Sequence, residues 1–408
     1  MVELSHPDNL ETVSRELMRN LNTRAITTVL FNRGKTSRAE LARQTGLTQA
    51  TISNITAKLV ESRLVEEVGE GQSTGGRKPT LININNNYGY VVGVKIEKNF
   101  VLTSLFDLRV NLIDRRETRF DGVPSSEDVV ELIEDEVLKY DSNYNVIGIG
   151  IGVSGLISDS GEIFYSPILN WKSQKLGEPL EDDLAIPVLI DNDVNAFTLA
   201  EGWFGAGKDF RDFLCVTVGE GVGAGIVING SLYRGSLGGA GEIGHTTLDP
   251  DGPRCRCGES GCLEALASDY FLVNEMEKEG FSECQVGTLI EEAQQGDKLA
   301  REIFSRMGHN LGLGIKNLVN TLNPEAVLLG GERLDAAEFF IPSLKEEVLN
   351  HSFPQEARKL EIVAAQLGKK AWLMGAAILP VRDFFSLPLH KRREGKAEDN
   401  TSLKGLVK

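Results

Sequence analysis

Long apolar runs are missing from this chain. No stretch approaches about 18 uninterrupted apolar residues, so no membrane-spanning helix is expected and no membrane insertion. The start, MVELSHPDNLETVSREL, has neither a basic n-region nor an apolar h-region, which removes the secretory signal and makes the chain read as cytoplasmic. Cysteine is scarce too. Five thiols, an odd number, do not make a disulfide framework and suit a reducing compartment. Positive charge is in deficit: a net charge of -16 argues against nucleic acid as the partner of the whole chain. The deficit is uneven. Residues 19–82 hold ten Lys/Arg against five Asp/Glu, whereas residues 83–408 hold 32 against 50. Only the N-terminal segment has an excess suited to phosphates. What remains, 408 residues at 41% hydrophobic content, suffices for two or three globular domains.

From Arg19 to Arg33 a helical pattern is carried by Leu21, Ile26, Val29 and Leu30, and Gly34 stops it. Ser37-Arg38-Ala39-Glu40 fits a capping box that starts a second helix, and Gly46 is the turn. Thr48 caps a third helix in which Ile52, Ile55 and Leu59 form the inner face. Gln49, Ala50, Thr51, Ser53, Asn54 and Lys58 are left pointing outward, short polar groups of the kind that reach base edges in a major groove. GEGQSTGGRKPTLININ then reads as a wing with Arg77 and Lys78 at its tip, placed for phosphates or a narrow minor groove. Three short helices also occur in interaction modules, and a basic turn also serves as a solvated linker. The cap, the turn, the polar face and the basic wing in one register favour DNA.

From Tyr90 the pattern becomes alternating strands and helices, an α/β domain. YVVGVKI, FVLTSLFDL and LIDRRETRF predict a three-stranded meander, SSEDVVELIEDEVLKY a helix and NVIGIGIGVSG a buried strand. IPVLIDNDVNAFTLAEGWFG reads as strand, polar junction and helix, and FLCVTVGEGVGAGIVINGSLYRG as a hairpin pair with glycines at its bend. Helices are expected over 269–279, 286–295, 297–320 and 371–384, with NPEAVLLGGE a further strand; no apolar period remains beyond about Leu389, which predicts a disordered tail.

Residues 237–262, LGGAGEIGHTTLDPDGPRCRCGESGC, concentrate the chemistry. His245, Cys255, Cys257 and Cys262 read as a closed, structural Cys3His zinc site, because thiolates and imidazole on a glycine-rich loop wrap tetrahedrally around the ion. A loop with incidental thiols is the bland alternative, and three cysteines within eight residues weigh against it. Glu242, three residues before His245, is the candidate ligand contact beside the metal.

The wing GGRKP, the junction Asp191-Asn192-Asp193-Val194-Asn195, the LGGAGEIGH segment and the C-x-C-x4-C cluster together resemble the ROK family of repressors and sugar kinases, from about residue 15 to 385. Within it the chain is most similar to xylose-type and related sugar repressors. The resemblance implies a winged helix-turn-helix (1–82) followed by a two-lobed, actin-like, ribonuclease H-like ATPase-type sugar-binding domain (83–388). Its lobes would be 83–195 with the C-terminal helix 371–388, and 196–370. It further implies a monosaccharide in the cleft, held by Asn170, Asn192, Asp193, Glu242, His245 and Glu264. Asp193 stands at the position of the kinases' catalytic base, and His245 would turn one ring nitrogen to zinc and the other to a hydroxyl. An acid at a helix start also complements the helix dipole, the plainer reading of Asp193.

Family kinases carry a D-x-G-G-T turn between the first two strands. Here the hairpin reads Val94-Lys95-Ile96-Glu97-Lys98-Asn99, with lysine for the acid and no glycine, so nucleotide binding should be impaired. The turn Gly219-Glu220-Gly221-Val222-Gly223-Ala224-Gly225 survives, with Glu220 where kinases have a hydroxyl residue. The leading expectation is therefore a non-catalytic, sugar-responsive repressor that binds a pseudo-palindromic operator in double-stranded DNA as a homodimer or homotetramer. The competing readings are a sugar kinase with a DNA-binding head, and a module that answers to another protein.

Overall fold

The computed structural model describes residues 15–72, 78–353 and 359–385. Arg77 and the expected tail from Leu389 lie outside the described residues. Helix α1 (Arg15–Arg33) stops at Gly34, whose φ of 72° and N–H bond to the Leu30 carbonyl close the helix. Strand β1 (Thr36–Ser37) leads into α2 (Arg38–Thr45), and α3 (Gln49–Glu61) follows a three-residue turn. The Ser37 hydroxyl caps α2 by accepting from the Glu40 N–H at 3.2 Å. Only half of the expected capping box forms. Ser37 is in strand register with Leu81, and the Glu40 carboxylate turns instead to the Arg43 guanidinium and to the Gln44 amide at 2.7 Å. Strands β2 (Val65–Glu70) and β3 (Thr80–Ile84) form an antiparallel hairpin, with β1 on the far side of β3. β3 runs two residues past the boundary expected at 82.

The meander appears as read: β4 (Tyr90–Ile96), β5 (Phe100–Asp107) and β6 (Leu112–Arg119) are antiparallel neighbours. After α4 (Ser126–Asp141), β7 (Val146–Val153) returns parallel to β4. Three short strands, β8 (Leu156–Ile157), β9 (Ile163–Ser166) and β10 (Trp171–Gln174), make a small separate sheet. Helix α5 (Gly177–Leu184) precedes β11 (Val188–Asn192), which adds parallel to β7 and completes the order β11-β7-β4-β5-β6.

Helix α6 (Asp193–Phe204) opens a second round. β12 (Phe213–Val218), β13 (Val222–Ile228) and β14 (Ser231–Tyr233) are again an antiparallel meander. Four helices follow: α7 (Leu263–Ala267), α8 (Asp269–Lys278), α9 (Val286–Gln295) and α10 (Lys298–Leu322). β15 (Ala326–Gly330) lies parallel to β12, and after α11 (Ala337–His351) β16 (Glu361–Ala364) lies parallel to β15. The second sheet is thus β14-β13-β12-β15-β16. Both sheets run third, second, first, fourth, fifth, so the mixed α/β body is a duplication.

The last helix, α12 (Lys370–Phe385), rests on β4 and β7 of the first sheet and packs along α6, which in turn touches β13 of the second. The helix pair stands between the sheets. Its backbones touch: a Cβ at Gly375 would lie 1.8 Å from the Ala196 carbonyl oxygen. The lobe boundary expected at 195/196 therefore falls inside α6. One apolar cluster joins Leu30, Phe31, Ile52 and Leu59 of the N-terminal head to Leu199, Ala377 and Phe385 of this pair, so the head is docked on the body by buried apolar surface. Among the described residues no helix is long and apolar enough to cross a membrane.

Candidate ligand cleft, thiol cluster and N-terminal head

A cleft of about 670 Å³ opens between the two sheets, a size ordinary for a small-molecule site. Parallel strand β11 delivers Asn192 and Asp193 to its floor, where strand gives way to helix. Asn192 is engaged in two directions. Its side-chain oxygen caps α6 by accepting from Val194 N–H (2.8 Å) and Asn195 N–H (3.2 Å), and its amide donates to the Gly155 carbonyl at 3.0 Å. Asp191 is structural: it accepts from the Asn195 amide at 3.0 Å and pairs with Arg234. Asp193, first residue of α6, accepts from its neighbour's N–H at 3.0 Å and turns to the cleft. Burial pushes its carboxyl up to about 6; the Lys95 ammonium pulls it down, Glu97 and Glu332 push it up, and the Val194 N–H lowers it.

The opposite wall comes from a single 3₁₀ turn, Ile243–His245, and from α7. Glu242 precedes that turn and His245 ends it, and both line the cleft with Glu264, which stands in the first turn of α7. Glu242 is exposed and lines the cleft. Partial desolvation there raises its carboxyl, with the His245 ring opposing and Glu264 adding to the rise. Glu264 accepts from the Val222 N–H at 3.4 Å and lies 3.9 Å from the Cys255 sulfur. Thus Asn192, Asp193, Glu242, His245 and Glu264 meet in one cleft. Asn170 does not join them. It is exposed at the β9–β10 turn with φ 51°, and its predecessors Pro167, Ile168 and Leu169 line the cleft in its place.

The other end of the cleft is acidic. Glu97, in the tight β4–β5 turn, pairs with Lys95 at 2.5 Å, and the Lys95 ammonium lies 4.0 Å over the Trp372 ring of α12. Glu220, Asp269 and Glu332 line the facing side. Burial pushes Asp269 up to about 6 although Arg333 stands 3.1 Å away and lowers it. Sequence reasoning missed Asp269, Glu332 and Trp372. They are far apart in the chain, and only the duplicated topology brings them together.

His245, Cys255, Cys257 and Cys262 converge with their donor atoms within 4.8 Å of one another. The Cys257 and Cys262 sulfurs are 3.7 Å apart, and the His245 Nδ1 is 3.7 Å from the Cys255 sulfur. A tetrahedral site with metal–sulfur bonds of about 2.3 Å separates its sulfurs by roughly 3.8 Å, so the set fits a small tetrahedral cation. Burial raises the Cys255 thiol and pushes Cys262 up to about 12, so a cation is what would hold them as thiolates. Gly261 makes the loop possible: at φ 68°, a Cβ there would lie 1.4 Å from the Asp249 carbonyl oxygen. With Nδ1 beside the Cys255 sulfur, His245 also lines the cleft.

In the head, Ile52, Ile55 and Leu59 are buried on the inner face of α3. Gln49, Ala50, Ser53 and Asn54 are exposed and Thr51 and Lys58 half-buried, so all six lie on or beside the outer face. The Thr48 side chain caps the helix by accepting from the Thr51 N–H at 3.2 Å. Lys78 is exposed at the hairpin end, 4.0 Å from Glu70. One contact escaped the sequence reading: Thr56 is buried and accepts from Arg38 at 3.0 Å, fixing α2 on α3.

Duplicated sheets, a helix pair and a cleft walled by acidic side chains define an actin-like α/β body, and the chain belongs to the ROK family, whose pattern matches residues 92–382. It is 30% identical over 382 residues to the xylose repressor of Bacillus spizizenii, covering 93% of this chain and 99% of that one. Among solved structures it is similar to a ROK family transcriptional regulator, a homologue of the E. coli MLC protein (TM-score 0.79, 26% identity, 89% of this chain and 96% of that one). It is also similar to a ROK family glucokinase from Streptomyces griseus in complex with glucose and AMPPNP (TM-score 0.62, 30% identity, 71% of this chain and 99% of that one). The regulator is matched over nearly the whole of both chains, whereas the kinase leaves a larger part of this chain unmatched.

Proposed function

We propose that the chain is a sugar-responsive transcriptional repressor whose N-terminal segment is a winged helix-turn-helix. Helix α3 enters a major groove of operator DNA with Gln49, Ala50, Thr51, Ser53, Asn54 and Lys58, and Lys78 with Arg77 reaches the backbone beside it. Two or four copies bind a two-fold related operator. A monosaccharide occupies the cleft, its hydroxyls donating to Asp193, Glu242 and Glu264, with His245 alongside. Zinc is the cation for His245, Cys255, Cys257 and Cys262. It is structural, stiffening the loop so that Glu242 and His245 meet the sugar without further ordering cost.

The observation that carries the non-catalytic reading is the charge at the far end of the cleft. Glu97, Glu220, Asp269 and Glu332 stand there against Lys95, itself spent on Glu97, and against Arg256, spent on Glu220 at 3.2 Å. A polyphosphate brought to that end meets four carboxylates and cations that are already paired, Arg333 on Asp269 included, and the beta-carbons of the β4–β5 turn stand where glycines would let backbone approach it. Sugar binding then acts through differential affinity for two arrangements of the body. A thorough shift between them needs about 5.5 kcal/mol of preference.

One observation favours a sugar kinase instead: a carboxyl at about 6 is suited to act as a general base near neutrality. A thermal-shift panel of D-xylose, D-glucose and N-acetylglucosamine, followed by incubation with ATP and magnesium, decides. The repressor reading expects a melting temperature that climbs with the logarithm of one sugar's concentration, and no phosphorylated product. Steady phosphorylation that vanishes in Asp193→Asn would overturn it.

A further inference from the structure

Both helices of the central pair begin at the cleft and end on the same side chain of the head. Asp193, the first residue of α6, lines the cleft, and Trp203, near the other end of α6, meets the Phe31 ring edge-on with centroids 5.0 Å apart. Trp372, in the first turn of α12, lines the cleft under Lys95, and Phe385, the last residue of α12, lies 5.6 Å from the same Phe31 ring. The helices are locked to each other near their cleft ends. Phe197 packs on Trp372 at 4.7 Å, and the close approach at Gly375 leaves no layer of side chains between the backbones there. The buried Glu201 adds a polar lock: its carboxylate accepts from Ala206 N–H (2.9 Å) at the end of α6, and from Gln366 (3.1 Å) and Leu367 (2.8 Å) ahead of α12.

The first sheet supplies a third contact. Arg109, in the β5–β6 turn, donates to the Leu30 carbonyl at 2.9 Å, to the Phe31 carbonyl, and to the Asn83 side-chain oxygen of β3 at 3.0 Å. Its guanidinium lies 5.1 Å over the Phe31 ring, and its own N–H is fixed by Asp107 at 2.8 Å. A cation at the last carbonyls of α1 also opposes the negative end of that helix. Phe31 is therefore gripped by α6, by α12 and by the first sheet, while Asn83 ties the hairpin to the same guanidinium.

We infer that Phe31, held between Trp203 and Phe385 and pinned by Arg109, is the joint through which occupancy of the cleft sets the position of the DNA-binding head. The inference rests on the repressor reading and adds the route. Sugar at Asp193 bears on the first turn of α6 and, through Phe197 on Trp372 and the backbone contact at Gly375, on the start of α12. Their shared lock makes them shift as one body, because close-packed interfaces have discrete arrangements and do not deform smoothly. The displacement is delivered where α1 hands over to β1 and the recognition helix. Trp203 and Arg109 are positioning residues that touch neither sugar nor DNA.

The test uses the full chain, a DNA duplex selected by the wild-type chain from a random pool, and D-xylose, D-glucose and N-acetylglucosamine as probes. Three constants are measured for wild type, Phe31→Leu, Trp203→Leu and Arg109→Met: sugar affinity, DNA affinity without sugar, and DNA affinity at saturating sugar. Trp203 is half-buried and Leu at position 31 keeps an apolar side chain, so at least one of these variants should fold. The joint predicts sugar affinity within about twofold of wild type in all three, with the sugar effect on DNA affinity cut from the 5- to 150-fold range usual for coupled sites to below about threefold. A full sugar effect in Phe31→Leu and Trp203→Leu, with both binding affinities kept, would refute the joint while leaving the repressor reading intact. A wild-type chain that binds a sugar with no change in DNA affinity would overturn both.

Discussion

Replacing Asp193 by asparagine should make the protein more stable and less able to bind sugar. The carboxyl moves from an ordinary 3.8 to about 6 in the fold, chiefly through burial. Because the folded value is the higher one, its favourable contribution is complete below pH 3.8 and is lost as the pH rises through about 6. That interval corresponds to roughly 3 kcal/mol of folding free energy forgone at pH 7.5. Asparagine retains an oxygen for the Val194 N–H and carries no charge to bury. Asp193→Asn should then melt higher than wild type at pH 7.5, on the order of 5 °C for a body of this size, and the gain should shrink towards zero near pH 4. Sugar affinity should fall about 10- to 100-fold, the usual worth of a hydrogen bond to a charged acceptor. Differential scanning fluorimetry at both pH values, with calorimetry for the sugar, measures each effect. A variant no more stable than wild type at pH 7.5, or equally favoured at both pH values, would show that the buried Asp193 charge does not limit stability.

Sugar affinity of the wild type should itself drop about tenfold between pH 7.5 and pH 5, as protonation removes the acceptor at Asp193, and Asp193→Asn should flatten that profile; calorimetry across the range decides. Cys257→Ser should abolish stoichiometric zinc, read by atomic absorption, and weaken sugar binding at least about tenfold through the loosened Glu242 and His245; zinc lost with sugar affinity kept would separate scaffold from cleft. Lys78→Ala should weaken DNA binding uniformly across sequences and lower the salt slope by about 1, whereas Asn54→Ala should change the preferred sequence. An unchanged salt slope, or unaltered preference, rejects the corresponding contact.

What the sequence made legible was local. The thiol cluster is three cysteines in one loop, α9 is bounded by its own apolar period, and the meander is three alternating runs joined by short turns. What it hid depends on distance or brevity. β8, β9 and β10 span two to four residues each, too few to show a period. α11 carries Pro342 inside the helix, which breaks the pattern that would announce it. Asn170 sits beside three residues that do line the cleft, and its left-handed backbone turns it from them. Asn192, expected as a sugar contact, also caps α6 and ties to Gly155, hydrogen bonds that depend on the folded junction. The phosphate end was half legible. Lys95 and Glu97 stand out in the sequence where an acid and glycines are expected, but Trp372, the ring under Lys95, is 277 residues further on and follows only from the fold.

Under the proposed function, sugar in the cleft and DNA on the head favour different arrangements of one body. Fluorescence anisotropy of the selected duplex, titrated with the full chain with and without saturating amounts of the sugar that raises its melting temperature, tests this most directly. DNA binding should weaken by about tenfold or more when the sugar is present. Identical titration curves, with sugar binding established in the same samples, would contradict it.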